Sequence, residues 1–219
     1  MKKFFRNNGL SITFFVLFVL SMIGQIFSGL AEHNEEMREE GGQQLTVGQY
    51  FSSGHFIQST FENWESEFLQ MALFVILTIS LYQKGSSESK DPDGGEEDVD
   101  KEPDPNAPDA PWPVRRGSVI LTLYKHSLSI ALILLFAISF IAHWLGSRAD
   151  YNEEQTLKHL PVQTPLQYLG NSRFWFESFQ NWQSEFLSVF AIILFSIWLR
   201  EKGSPQSKPV DAPHHKTGD

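Results

Sequence analysis

Two glutamates stand where an acid is costly. Glu67 and Glu185 each open a long uncharged stretch, Phe68–Tyr82 and Phe186–Leu199. The first is 15 residues (82 − 68 + 1), only about 22 Å of helix. A helix crossing about 30 Å of hydrocarbon must therefore recruit residues N-terminal to Phe68. That places Trp64 and Trp182 at headgroup level as interfacial anchors, since an indole pairs an apolar body with a polar N–H. It also draws Glu67 and Glu185 below that level, where a carboxyl must face a bundle interior or a watery cavity. Asn63 and Gln70 share a helix face with Glu67, and Asn181 and Ser188 share one with Glu185. Gln25 and His143 fall at similar depth on the preceding apolar runs. Gln25, Asn63, Glu67, His143, Asn181 and Glu185 thus define a candidate intramembrane polar layer, and its chemistry would be proton or cation binding. The competing reading is that these groups hydrogen-bond across helices and fix packing, or that they reach outer headgroup water.

The elements that position them come from a duplication. Ala31–Lys90 is written again, without a gap, as Ala149–Lys208, and 22 of the 60 pairs are identical at an offset of 118 (182 − 64 for the tryptophans). Phe61-x-Asn63-Trp64-x-Ser66-Glu67-Phe68-Leu69 recurs as Phe179-x-Asn181-Trp182-x-Ser184-Glu185-Phe186-Leu187. Apolar runs flank each copy. Leu10–Leu30 carries no charge, and Ser127–Leu145 is interrupted only by His143. The pattern predicts an all-α membrane protein with four spans, about 9–31, 61–83, 127–146 and 179–199. These form two two-helix repeats, 1–84 and 118–203, which point the same way through the membrane. A disordered acidic linker (85–117) and a disordered tail (204–219) complete the chain. The first apolar run is longer than a signal-peptide core and matches an internal segment, so it is expected to be retained.

Charge sets the orientation. Thirteen Lys/Arg fall on the segments that an inside N-terminus places inside, against four (Arg38, Arg148, Lys158, Arg173) on the outer loops. The positive-inside rule then puts both termini in the cytoplasm. The net charge of −9 is concentrated in Lys84–Gly117, with ten acids against five bases. Six prolines and almost no apolar content there leave nothing to offset chain entropy. No basic stripe with interleaved aromatics is present, which argues against nucleic acid as a partner. With no cysteine, there is no thiolate nucleophile and no disulfide framework.

Smaller motifs refine the picture. Thr46-x-x-Gln49 and Thr164-x-x-Gln167 read as capping boxes, each opening a short outer helix that carries Tyr50 or Tyr168. The first span continues as helix to a stop at Gly41-Gly42, and the second copy stops at Pro161. Gly24 and Ser28, with counterparts Ala142 and Gly146, have the small-x-x-x-small spacing that lets helix backbones approach, from spans one and three or from a second protomer. Glu62 and Glu65 become Gln180 and Gln183 in the second copy, which reads as solvated charge. Asn34-Glu35-Glu36 and its repeat Asn152-Glu153-Glu154 lack the ligand number for a calcium or magnesium site, and His214-His215 reads as a solvated pair. No phosphate-binding loop, HExxH or Gly-x-Ser-x-Gly elbow occurs, so no enzyme class, metal or cofactor is expected.

The stretches Lys2–Ser11, Ser53–Phe56, Phe61–Gln70 and Gln83–Ser86 resemble a family of bacterial membrane proteins known only as a domain of unknown function. The resemblance covers all but the linker and tail. It implies a bacterial cytoplasmic membrane and carries over no activity. The expected role is a non-enzymatic bundle in the bilayer that works through packing and contacts with a second copy or another membrane protein. The alternative is a small channel or transporter that uses Glu67 and Glu185.

Overall fold

Uncharged residues from Leu10 to Leu30 run directly into the helix formers of Glu32–Glu40, so a single long helix covers both stretches. In the computed structural model, which describes residues 2–218, the order is α1 (Lys2–Glu40), α2 (Val47–Tyr50), α3 (Gly54–Leu77), α4 (Trp112–Arg116), α5 (Ser118–Lys125), α6 (Ser127–Leu157), α7 (Pro165–Tyr168) and α8 (Ser172–Trp198). No strand occurs among the described residues. Helices α1 and α6 are long and apolar enough to cross a membrane. On both, the large apolar side chains point outward: Phe14, Phe15, Leu20 and Phe27 of α1 and Leu134 and Ile138 of α6 are all exposed.

The helix ends show how local chemistry sets boundaries. After α1, Gly41 adopts a left-handed φ of +78°, and the Gly42 N–H donates to the Met37 carbonyl at 2.7 Å. This satisfies a carbonyl that the last turn leaves free. After α6, His159 takes the same role at φ +57°, and the Leu160 N–H donates to Gln155 O at 2.8 Å. The chain therefore leaves the helix before Pro161, ahead of the expected stop. The expected capping boxes open α2 and α7. Gln49 Oε1 accepts from the Thr46 N–H at 2.9 Å, and Gln167 Oε1 from the Thr164 N–H at 2.9 Å.

The expected second span is shifted. Helix α3 starts at Gly54 rather than 61 and ends at Leu77 rather than 83. Its start is set by Ser53, whose hydroxyl accepts from the Phe56 N–H at 3.2 Å. At its end, Thr78 Oγ1 donates back to Phe74 O at 2.8 Å and the chain turns. Helix α8 likewise starts at Ser172 rather than 179, because Asn171 Oδ1 accepts from the Arg173 N–H at 2.9 Å.

Contacts divide the chain into two compact units, and each holds parts of both sequence copies. One contains the chain up to Glu62 together with Phe140–Trp175; the other contains Asn63–Ser139 together with the chain from Phe176 on. In the first unit, the start of α3 packs on α6 with the backbones nearly touching. A Cβ on Gly54 would lie 2.3 Å from the Asp150 nitrogen, and one on Gly146 would lie 2.6 Å from the Gln58 nitrogen. Gly146 is therefore a packing residue, with α3 as its neighbour. Gly24 meets nothing within 4 Å, Ser28 donates to Gly24 O at 2.8 Å on its own helix and is exposed, and Ala142 is half-buried.

In the second unit, the first residues after the α3 turn meet the tail through polar contacts. The Lys208 ammonium is buried and donates to the carbonyls of Gly85, His214 (3.1 Å) and Lys216 (2.8 Å). Ser86 Oγ and Ser196 Oγ hydrogen-bond at 2.8 Å, and the Gly85 N–H donates to Thr217 Oγ1 at 2.9 Å. His214 Nδ1 lies 3.2 Å from Ile197 O, so it is not simply solvated.

A residue with a Cβ in the left-handed region costs about 1–2 kcal/mol, less the chain entropy that glycine loses. His159→Gly is therefore expected to stabilise the chain by up to about 1 kcal/mol, and Gly41→Ala to destabilise it by a similar amount. Thermal unfolding in detergent checks both.

Candidate functional site

The turn after each long apolar helix is held by one asparagine. Asn34 Oδ1 accepts from the Leu45 N–H at 2.6 Å while its Nδ2 donates to Leu45 O at 2.9 Å. Asn152 makes the same two bonds to Gln163, at 2.8 and 2.9 Å. The Asn-Glu-Glu motif is thus a backbone clamp. It brings α2 and α7 back over the helix ends and drives Tyr50 and Tyr168 fully inside.

The two tyrosines are satisfied differently. Tyr168 hydrogen-bonds Ser147 Oγ at 2.6 Å. The first copy has Gly29 at that position, and a Cβ there would lie 2.3 Å from the Tyr50 hydroxyl. Tyr50 instead hydrogen-bonds His55 Nδ1 at 2.8 Å. Burial, then the charges of Glu32 and Asp150, push the Tyr50 phenol up to about 12, so it keeps its proton. His33 packs beside this pair, its ring centroid 5.3 Å from that of His55. His33 is 1% exposed, and its Nε2 has no hydrogen-bond partner among the described residues. At the position equivalent to His55 the second copy has Arg173, whose guanidinium donates to Asp150 at 2.6 Å and to Glu154 at 2.6 Å. Sequence reasoning passed over His33 and His55. The available signal was that both change in the second copy, to Tyr151 and Arg173.

The six residues of the expected polar layer fall into the two units. In the first, Gln25 Nε2 donates to Thr60 Oγ1 at 3.2 Å. His143 is fully buried, with its ring 5.0 Å from Phe174 and Nε2 3.9 Å from Glu62 Oε2. In the second, Glu67 is exposed and Glu185 half-buried, and the two carboxyls are close enough to act on each other. Asn181 donates to Glu177 O on its own helix at 3.0 Å, and Asn63 is exposed.

Two expectations about solvated charge are corrected. Glu65 is fully buried, and its carboxylate accepts from the Trp182 indole N–H at 2.9 Å. A buried carboxylate needs a donor, and the indole supplies one, so Trp182 spends its N–H inside the protein. Glu62 is half-buried and accepts from Gln58 Nε2 at 2.9 Å. Trp64 is half-buried.

The fold and these contacts define an all-helical protein with two helices able to cross a membrane. Over residues 1–219 the chain matches the family described as Domain of unknown function (DUF6766), and it belongs to that family. No curated protein and no solved structure matches it.

The ion pairs around Asp150 give a direct test. The Asp150 side chain is 9% exposed, and removing one partner of a buried pair leaves an uncompensated charge. Arg173→Met is expected to destabilise by about 3 kcal/mol. Adding Asp150→Leu to that variant is expected to recover most of the loss, as measured by a double-mutant cycle on thermal stability.

Proposed function

We propose that this chain is a multi-pass protein of the bacterial cytoplasmic membrane, in which α1, α3, α6 and α8 all cross the bilayer and both termini are cytoplasmic. It acts as a non-enzymatic bundle, through packing and through contacts with a second copy or another membrane protein. The observation that carries this reading is the outward direction of the apolar side chains on α1 and α6, which hydrocarbon would cover. The excess of Lys/Arg on the proposed inner segments supports the orientation. An apolar groove of about 360 Å³ in the second unit, lined by Leu73, Leu77, Phe186, Phe190 and Ile193 among others, offers a further contact surface.

A second reading rests on one specific contact. Glu67 and Glu185, the same position in the two copies, are neighbours, and paired carboxyls at one depth are what a proton or cation pathway would use. Reporter fusions after Lys84 and after Lys208 are expected on the cytoplasmic side, and either one appearing outside overturns the topology. Proton and monovalent-cation flux into liposomes decides between the roles. Flux lost in Glu67→Gln and Glu185→Gln favours transport; flux no greater than in empty liposomes for the unaltered protein favours the bundle.

A further inference from the structure

Two hollows adjoin in the second unit. The first is the apolar groove of about 360 Å³, walled by Leu73 and Leu77 of α3 and by Phe186, Phe190 and Ile193 of α8. Leu77, Phe186 and Phe190 are exposed along it. The second holds about 550 Å³ and has Ser87, Glu88, Lys90 and Glu97 on its walls. The two share a border, since Phe74, Thr78, Glu88 and Ser89 line both. Each volume falls within the range of ligand pockets, about 300–1,000 Å³. Polarity changes in step with the chain: α3 ends at Leu77, and the polar walls begin at Ser87 beyond the turn. Charge in the polar hollow has both signs. Glu88 and Glu97 bring two carboxylates, and the Lys90 ammonium pairs with Asp100. An ammonium carries three N–H donors, so Lys90 has donors beyond that pairing.

We propose that the joined hollows bind one phospholipid with a zwitterionic, primary-amine headgroup, one acyl chain lying in the groove and the headgroup in the polar hollow. The inference rests on the membrane reading above, which puts the groove in the inner leaflet and the residues from Lys84 on at the inner surface. Hydrocarbon alone would cover the groove and leave the hollow to water. A wholly polar solute would fill the hollow and leave Leu77 and Phe190 bare. An amphiphile covers both, at the depths its own two halves occupy in a bilayer. Charge then selects the headgroup. Its ammonium meets Glu88 and Glu97, and its phosphate meets the further donors of Lys90. An anionic headgroup without an amine would set its phosphate against the same two carboxylates, a like-charge contact that disfavours it.

The full chain is purified in detergent, stripped of lipid by detergent exchange, and offered phosphatidylethanolamine or phosphatidylglycerol one at a time. Native mass spectrometry counts the lipid that stays bound. The expected result is one phosphatidylethanolamine per chain, held about tenfold more tightly than phosphatidylglycerol. Glu88→Gln should reduce that preference about tenfold. Val189→Trp, which fills the groove, should lower the retention of both lipids. Phe14→Trp, on the outward face of α1, should change neither. If Val189→Trp fails to fold, melting temperatures decide: that of the unaltered chain should rise with phosphatidylethanolamine more than with phosphatidylglycerol, and Glu88→Gln should remove the difference. Phosphatidylglycerol held as tightly, binding indifferent to both Glu88→Gln and Val189→Trp, or a dimer that closes the groove and leaves no lipid bound would each overturn the proposal. Reporter fusions on the cytoplasmic side together with no retained lipid would sink this inference and leave the membrane reading standing.

Discussion

Everything at the outer ends of the long apolar helices depends on a two-bond clamp from one side-chain amide to the backbone eleven residues on. Asn34 and Asn152 each pair with both polar groups of one loop residue, Leu45 or Gln163. A loop residue has no ladder or helix to satisfy its N–H and C=O, and here one amide side chain satisfies both. With the loop returned, the capping boxes can open α2 and α7. The tyrosines on those helices can then reach the interior. The N-caps Ser53 and Asn171, which start α3 and α8, follow three residues later.

In each unit, polar burial is managed by specific pairing. Asp150 meets Arg173, and Glu65 meets the Trp182 indole. An unpaired charge in such places is strongly disfavoured, so each partner fixes the geometry of the other. The two copies reach comparable ends by different chemistry. Tyr168 relies on a serine and Tyr50 on a histidine. One copy is closed by a guanidinium, the other by two imidazoles.

Much of this was legible in residue order, and the misses have physical causes. The apolar runs of α1 and α6 and the short outer helices declare themselves through hydropathy and capping residues, which act over a few positions. Helices α3 and α8 begin ahead of their apolar runs, because Ser53 and Asn171 cap first turns whose hydropathy is low. Glu65 looked solvated because its counterpart is Gln183, yet either residue can accept from an indole N–H, so loss of charge did not imply exposure. The carbonyls gathered around the Lys208 ammonium were not legible either, because composition says nothing of backbone groups brought together from distant positions.

The sequence by itself determined what depends on neighbours a few residues away: helix identity, caps, the duplicated motif and the outward greasiness of two helices. Family membership also comes from the chain alone. Only the tertiary structure decided which acid meets which partner, that Gly146 packs on the start of α3, and that His33 stands beside His55. Those contacts join residues more than ten, and often more than a hundred, positions apart. No local preference encodes such a pairing; it exists only once folded helices bring the side chains within reach.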